Sequence, residues 1–317
     1  MSLLPAFHGI LPAMQCPFND DYSIDERELR RFTNWLASFD GIGGLVTNGH
    51  TGEIFSLPVR DRNEVSRIVA DEADGRLPVV HGLSCEGIMQ AVEEAGQAKE
   101  AGATGLLVMP PHHWLRFSME PEHVIEYFTE IGKAVDINLV VHVYPAWTKA
   151  SYSSQLLADL GQIPQVTTFK VGTREMSQYA RDITLLRAQA PDTTILTCHD
   201  EYLLASMVQG VDGALVGFAS LIPDLIAELY QAVCDGDLKK AQAIQARILP
   251  MKEVVYASGE PSSEAHARMK MAMKLAGRLK SSVVRRPIEE PTGDTLKAIV
   301  RAISEAELAE VQQQAAE

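Results

Sequence analysis

Val166-Thr167-Thr168-Phe169-Lys170-Val171-Gly172-Thr173 is the stretch on which the fold turns. Valine, threonine and phenylalanine favour an extended backbone, and the Gly-Thr pair ends it. Side chains alternate across a strand, so Phe169 and Val171 face one way and Thr168 and Lys170 the other. A lysine ending an apolar strand either reaches water or gives up its charge, because burial disfavours an ammonium. A neutral amine attacks carbonyl carbon, which makes Lys170 a candidate Schiff-base lysine. The alternative is an ordinary strand-end lysine with its head in solvent. Its surroundings have to decide between them.

Working outward, apolar strand-like runs alternate with amphipathic helical runs from about residue 9 to residue 235. Strands are expected over 9–14, 44–47, 77–82, 105–109, 138–144, 166–171, 194–198 and 213–217. The first helix opens at Asp25, whose spacing to Glu28 is that of a capping box, and carries Leu29, Phe32, Leu36 and Phe39 as its apolar stripe. Further helices are expected after Leu57-Pro58 and over 86–101, 124–134, 154–160, 174–190, 201–208 and 223–233, with a Pro-Pro turn before the fourth. Eight βα units favour a parallel sheet, and that count points to an α/β fold, a closed (β/α)8 TIM barrel spanning 1–235. Near-continuous apolar strands agree, since parallel sheets are covered on both faces. Residues 236–317 have helical composition and are read as an appended C-terminal helical segment, with connectors near 257–263 and 281–294.

Composition narrows the class. The chain has 317 residues, 46% hydrophobic and 22% charged, with a net charge of −14. It is large enough to bury a sizeable core. An acidic chain without a basic stripe is a poor partner for nucleic acid or an anionic membrane surface. Cys16, Cys85, Cys198 and Cys234 are widely spaced and form no CxxC pair, as expected of reduced thiols. Met1 to Pro5 lacks the charged start and apolar run of a signal peptide, and no apolar run reaches membrane length. The expectation is a soluble cytoplasmic protein.

In a (β/α)8 barrel the active site is built at the C-terminal ends of the strands. The second strand runs into Asn48-Gly49-His50-Thr51-Gly52-Glu53, whose glycines and hydroxyl suit close approach of backbone to a small anion such as a carboxylate. A plain βα turn is the alternative. The fourth strand ends in Pro110-Pro111-His112-His113-Trp114, and the fifth delivers His142 and Tyr144 on one face before Pro145-Ala146-Trp147-Thr148. The seventh leads to His199-Asp200, and the eighth, with Leu215, to Gly217. Polar and aromatic groups thus gather at one rim with Lys170, which favours the catalytic reading of that lysine.

The turn Gly49-His50-Thr51-Gly52-Glu53 resembles the Gly-Thr-Thr-Gly-Glu loop of the dihydrodipicolinate synthase and N-acetylneuraminate lyase superfamily. Tyr144-Pro145, Phe169-Lys170 and Cys16-Pro17-Phe18 resemble further signatures of that family, in the same order. The resemblance covers nearly the whole chain, tail included. It implies a class I aldolase or lyase in which Lys170 forms a Schiff base with pyruvate or another small 2-oxo acid. It also implies that a tyrosine on the fifth strand carries protons, that Thr51 and the Gly49 loop hold the carboxylate, and that Leu215 lines the pocket. No metal or organic cofactor is required by this chemistry, and a homotetramer built as a dimer of dimers is implied.

Several positions depart from the family pattern. His50 stands where a relay threonine is expected, and His113, after His112, where a tyrosine reaches across a subunit contact. Either Tyr144 or His142 takes the family tyrosine's place, depending on a two-residue contraction. Trp147 falls where an arginine grips the second substrate's carboxylate, and an indole stacks on flat or apolar groups instead. Aspartate semialdehyde is therefore not expected as second substrate. His50 and His113 are read either as proton relays or as hydrogen-bonded loop and interface residues; His81 is read as structural, and His199 is left unassigned. Two other functions compete: a metal-dependent hydrolase using His50, His142, His199 and Asp200, and a non-catalytic protein that kept the fold.

Overall fold

Each expected strand is too apolar to face water and too short to be stable alone, so all eight must share one sheet. The structure, a computed structural model, describes residues 6–257 and 264–308. Its strands are β1 (Gly9–Pro12), β2 (Leu45–Thr47), β3 (Val79–Leu83), β4 (Gly105–Val108), β5 (Asn138–Val143), β6 (Val166–Val171), β7 (Thr194–Thr197) and β8 (Gly213–Val216). They pair in parallel in the order β1-β8-β7-β6-β5-β4-β3-β2. Parallel bridges of Ile10 with Ile42 and Ala13 with Val46 bring the two ends of this order together. The Met14 N–H donates to the Val46 carbonyl at 2.8 Å across the seam. The chain is a (β/α)8 barrel.

Alternation divides the apolar residues into two cores. Leu11, Val46, Val80, Leu107, Val140, Leu196 and Leu215 fill the barrel, with Phe7 among them. Phe169, Val171, Val141 and Val143 belong to the larger core between barrel and helices. Phe7 blocks the N-terminal end: a Cβ on Gly105 would lie 2.6 Å from its ring, and its N–H donates to Thr168 Oγ1. A cavity can therefore open only at the opposite rim.

The helices around the barrel are α1 (Glu26–Leu36), α2 (Val59–Ala73), α3 (Ile88–Glu100), α4 (His112–Phe117), α5 (Pro121–Val135), α6 (Ser154–Leu160), α7 (Met176–Gln189), α8 (Leu203–Met207) and α9 (Pro223–Cys234). Asp25 caps α1 as its spacing predicts, accepting the Glu28 N–H. Of these, α4 replaces part of the expected Pro-Pro turn. Leu115 and Phe117 on it are exposed, so no apolar periodicity announces it. The tail forms α10 (Leu238–Val255), α11 (Ala265–Leu275) and α12 (Gly293–Glu305). Beyond Ala257, the connector expected near 257–263 lies outside the described residues, as does the stretch from Met1 to Pro5. No helix among the described residues is long and apolar enough to cross a membrane.

The tail is bound to the barrel rim by buried polar contacts. Lys270 on α11 meets Glu53 at 2.6 Å with both side chains fully buried, and also donates to the Val283 carbonyl. The Arg285 N–H donates to the other Glu53 oxygen at 2.9 Å. Phe18 lies beneath both cations, with Lys270 Nζ 4.2 Å from its ring centre.

Candidate active site

Lys170 is the last inward-facing residue of β6 and only 8% exposed. Its register partner on β5 is His142, equally inward, while Phe169 pairs with Val141 in the outer core. The face anticipated from alternation is thus the face observed. Lys170 lies on the wall of a cavity with two lobes, of 350 Å³ and 310 Å³, that share it with His50, Arg174 and Cys198. No hydrogen bond or ion pair to its amine is found among the described residues.

One lobe holds Thr51, Leu215, Gly217 and Phe55, with Tyr256 and His266 from the tail. Gly52 is needed where it stands: a Cβ there would lie 2.9 Å from the Met14 carbonyl. Gly49 has no such constraint, a Cβ there meeting only Thr51 Oγ1 at 3.9 Å, and it is not among the residues that line the cavity. The Thr51 hydroxyl donates to the Ala13 carbonyl at 3.1 Å, which fixes the loop against the end of β1.

The other lobe holds His142, Tyr144, Pro145, Thr148 and Leu115. Tyr144 lies just past β5, and its hydroxyl sits 3.1 Å from His50 Nε2. The rings of His50, His142 and Tyr144 are mutual neighbours, with centroids 5.0–5.9 Å apart. Burial and then the Lys170 charge push the His142 imidazole well below its ordinary range. His142 Nδ1 has no hydrogen-bond partner, and Nε2 lies 3.9 Å from Cys198 Sγ. His50 is lowered by the same two causes, so both rings are neutral at neutral pH. Tyr144 is raised by burial and stays a phenol.

Trp147 is exposed and lies outside the cavity lining, with the Arg174 guanidinium 5.8 Å from its ring centre. Arg174 also pairs with Glu201 at 2.9 Å. His112 and His113 do not enter the cavity of their own chain. Their N–H groups and Nδ1 atoms bind Glu86, with His113 Nδ1 at 2.8 Å. Partial burial favours protonated Glu86, but the hydrogen bonds from His113 and His112 outweigh it and pull the carboxyl down to about 2.

His81 is buried in the outer layer against Ser66 and Asn48. His199 packs between Tyr179 and Tyr202 and is absent from the cavity wall. Asp200 is occupied on both oxygens by the Gly217 and Phe218 amides and by Tyr256. Among the described residues no three His, Cys, Asp or Glu side chains converge as a metal site.

Arg174, Cys198, Phe55, Tyr256 and His266 are cavity residues that sequence reasoning missed. Arg174 lies in the turn three residues past the end of β6, where strand alternation no longer applies, so no pattern announced it. Tyr256 and His266 had no signal either, because the tail's docking is a tertiary fact.

A closed parallel barrel with a nearly buried lysine amine at its C-terminal rim, faced by a tyrosine and two imidazoles, defines a (β/α)8-barrel enzyme. The model of the dihydrodipicolinate synthetase family matches residues 6–306. The 4-hydroxy-tetrahydrodipicolinate synthase of Acidiphilium cryptum is 31% identical over 93% of this chain and 97% of its own. An uncharacterized DapA-like lyase of Thermofilum pendens is 28% identical over 93% of this chain and 96% of its own. Among solved structures, YagE of E. coli K12, a member of the same family crystallised with pyruvate, superposes with a TM-score of 0.87 at 23% identity, covering 96% of this chain and all of that one. The chain belongs to the dihydrodipicolinate synthetase family and is a dihydrodipicolinate synthase-like lyase.

Proposed function

We propose that this lyase works through a Schiff base between Lys170 and pyruvate or a related 2-oxo acid. The observation that carries the reading is the Lys170 amine, 8% exposed and without an ion-pair partner among the described residues, beside the Tyr144–His50 hydrogen bond. The amine bonds to the ketone carbon and one of its protons passes to the carbonyl oxygen; a second proton from Tyr144, which His50 helps to replace, lets that oxygen leave as water. The resulting iminium is an electron sink, allowing proton loss or C–C cleavage at the neighbouring carbon. The backbone N–H groups of Thr51 and its loop would hold the substrate carboxylate beside Leu215, while the Thr51 hydroxyl stays on the Ala13 carbonyl.

The second substrate is proposed to differ from aspartate semialdehyde, because Trp147 offers no carboxylate clamp. An aldolase, hydratase-aldolase or dehydratase reaction fits. A cytoplasmic homotetramer is the assembly proposed, with His113 near a partner's cavity. A solution structure of the assembly that placed His113 far from every partner's Lys170 would remove that part.

Intact mass after borohydride treatment with pyruvate tests the reading. An adduct on the wild type and none on Lys170→Ala is expected. Absence of an adduct with pyruvate and with a panel of 2-oxo acids would overturn it.

A further inference from the structure

The 350 Å³ lobe is walled by a ring of contacts that no single strand could hold alone. Asp200, after β7, takes the Gly217 N–H on Oδ2 at 2.9 Å and the Phe218 N–H on Oδ1 at 2.8 Å. Those amides belong to the turn that leaves β8. Gly217 packs so closely that a Cβ there would lie 2.9 Å from the Thr51 methyl and 3.0 Å from Asp200 Oδ2. Thr51 and Ser220 both donate to the Ala13 carbonyl, at 3.1 and 2.8 Å, and close the ring at β1. Tyr256, at the end of α10, donates its hydroxyl to Asp200 Oδ2 at 2.6 Å and sets its ring edge-on to Phe218 at 5.4 Å.

We propose that Tyr256 is a positioning residue for the 2-oxo acid subsite, acting through Asp200 to hold the Gly217–Phe218 turn in register with Thr51. The proposal rests on the Schiff-base reading above. A buried carboxylate that serves three donors is a rigid node, and removing the strongest donor loosens the others. The tail is thereby part of the substrate site and not only its support. Burial raises the Asp200 carboxyl to about 6, opposed by the hydrogen bond from Tyr256. The titratable groups facing it are Tyr256 on α10 and Cys198 and Glu201 on its own loop, with Lys170, Arg174 and His266 across the same lobe.

The test is borohydride trapping with pyruvate, titrated in pyruvate and repeated from pH 5 to 8, on wild type, Tyr256→Phe, Asp200→Asn and Tyr230→Phe. The last removes a hydroxyl bound to the Val211 carbonyl and serves as control. Tyr256→Phe is expected to trap pyruvate at saturation but to need about ten-fold more of it. Its acidic limb should move to higher pH, because the donor that favours the Asp200 carboxylate is gone. Asp200→Asn should need more pyruvate and lose that limb, and it carries the test if Tyr256→Phe does not fold. Tyr230→Phe should match the wild type. An unchanged half-saturation and pH profile in folded Tyr256→Phe, or in Asp200→Asn if the former does not fold, would overturn the proposal. Failure of the wild type to trap any oxo acid would instead overturn the Schiff-base reading.

Discussion

The Tyr144 hydroxyl lies 3.1 Å from Nε2 of His50, and the loop that carries His50 is also the loop that carries Thr51. On the proposed mechanism, proton transfer and anchoring of the substrate are joined in one short turn. Tyr144→Phe should lower turnover by about 10²-fold or more, the scale of general acid–base catalysis. His142→Leu should cost less, because His142 holds no hydrogen bond to the phenol among the described residues. Steady-state kinetics on the two variants rank them, and the reverse order would give His142 the tyrosine's place.

His50→Ala should reduce turnover about ten-fold or more, and combining it with Tyr144→Phe should add little, since groups that act as a unit are not additive. The pH profile separates a relay from an electrostatic role. Confined surroundings and the Lys170 charge lower the His50 imidazole, so it is already neutral at neutral pH. His50→Ala should then retain whatever acidic limb the wild type shows. Loss of a limb near pH 6.5 in the variant would show that His50 titrates during turnover.

Alternation along 166–171 was enough to put Thr168 and Lys170 on one face and Phe169 on the other, because the period of two is fixed by backbone geometry; which face lines the barrel is set by the closure of the sheet. The same rule put His142 on the Lys170 side. Strand ends ran one or two residues too long, as at Tyr144 and Cys198, since apolar character continues past the last ladder bond. Arg174, Tyr256 and His266 were not seen because what places them is packing between distant segments. His113 shows the opposite limit: its neighbour in this chain is Glu86, far from it in sequence.

Glu86 makes that contact measurable. Its carboxyl is held near 2, below the ordinary glutamate value of about 4.3. The native state therefore binds fewer protons than the unfolded chain between those values. The stability Glu86 contributes is fully present above about pH 4.5 and is lost as pH falls towards 2. Urea denaturation of wild type and Glu86→Gln should show a gap at pH 5 that narrows steadily at lower pH. Half of the Glu86 side chain is exposed, so the gap should be small. A gap that widens with acid would contradict the assignment of the bonds to His112 and His113.

Trp147 tests the second half-reaction without touching the first. Because it lies outside the cavity lining, Trp147→Ala should leave the pyruvate dependence of borohydride trapping unchanged. Trp147→Arg should increase condensation of the unreduced, enzyme-bound enamine with aldehydes that carry a carboxylate, relative to the wild type. Competition assays with a carboxylated and an uncharged aldehyde report this directly. An arginine variant with no shift in preference would mean that the residue does not face the second substrate.

The Glu53–Lys270 pair joins the substrate loop to α11 where no water reaches, so the two charges depend on each other. Lys270→Met leaves the Glu53 carboxylate buried with, among the described residues, only the Arg285 N–H as hydrogen-bond partner, and breaking a buried pair in this way costs about 3–5 kcal/mol. Glu53→Gln with Lys270→Met removes both charges and should recover most of that loss, since apolar or neutral replacements of buried pairs are often tolerated. Equilibrium denaturation of the single and double variants measures the difference. The double variant should still need more pyruvate than the wild type for half-maximal trapping, because Glu53 sits in the left-handed region at φ 60° and the pair holds it there. If stability and pyruvate dependence recovered together, the pair would serve only the fold; recovery of stability alone would show that it also shapes the site.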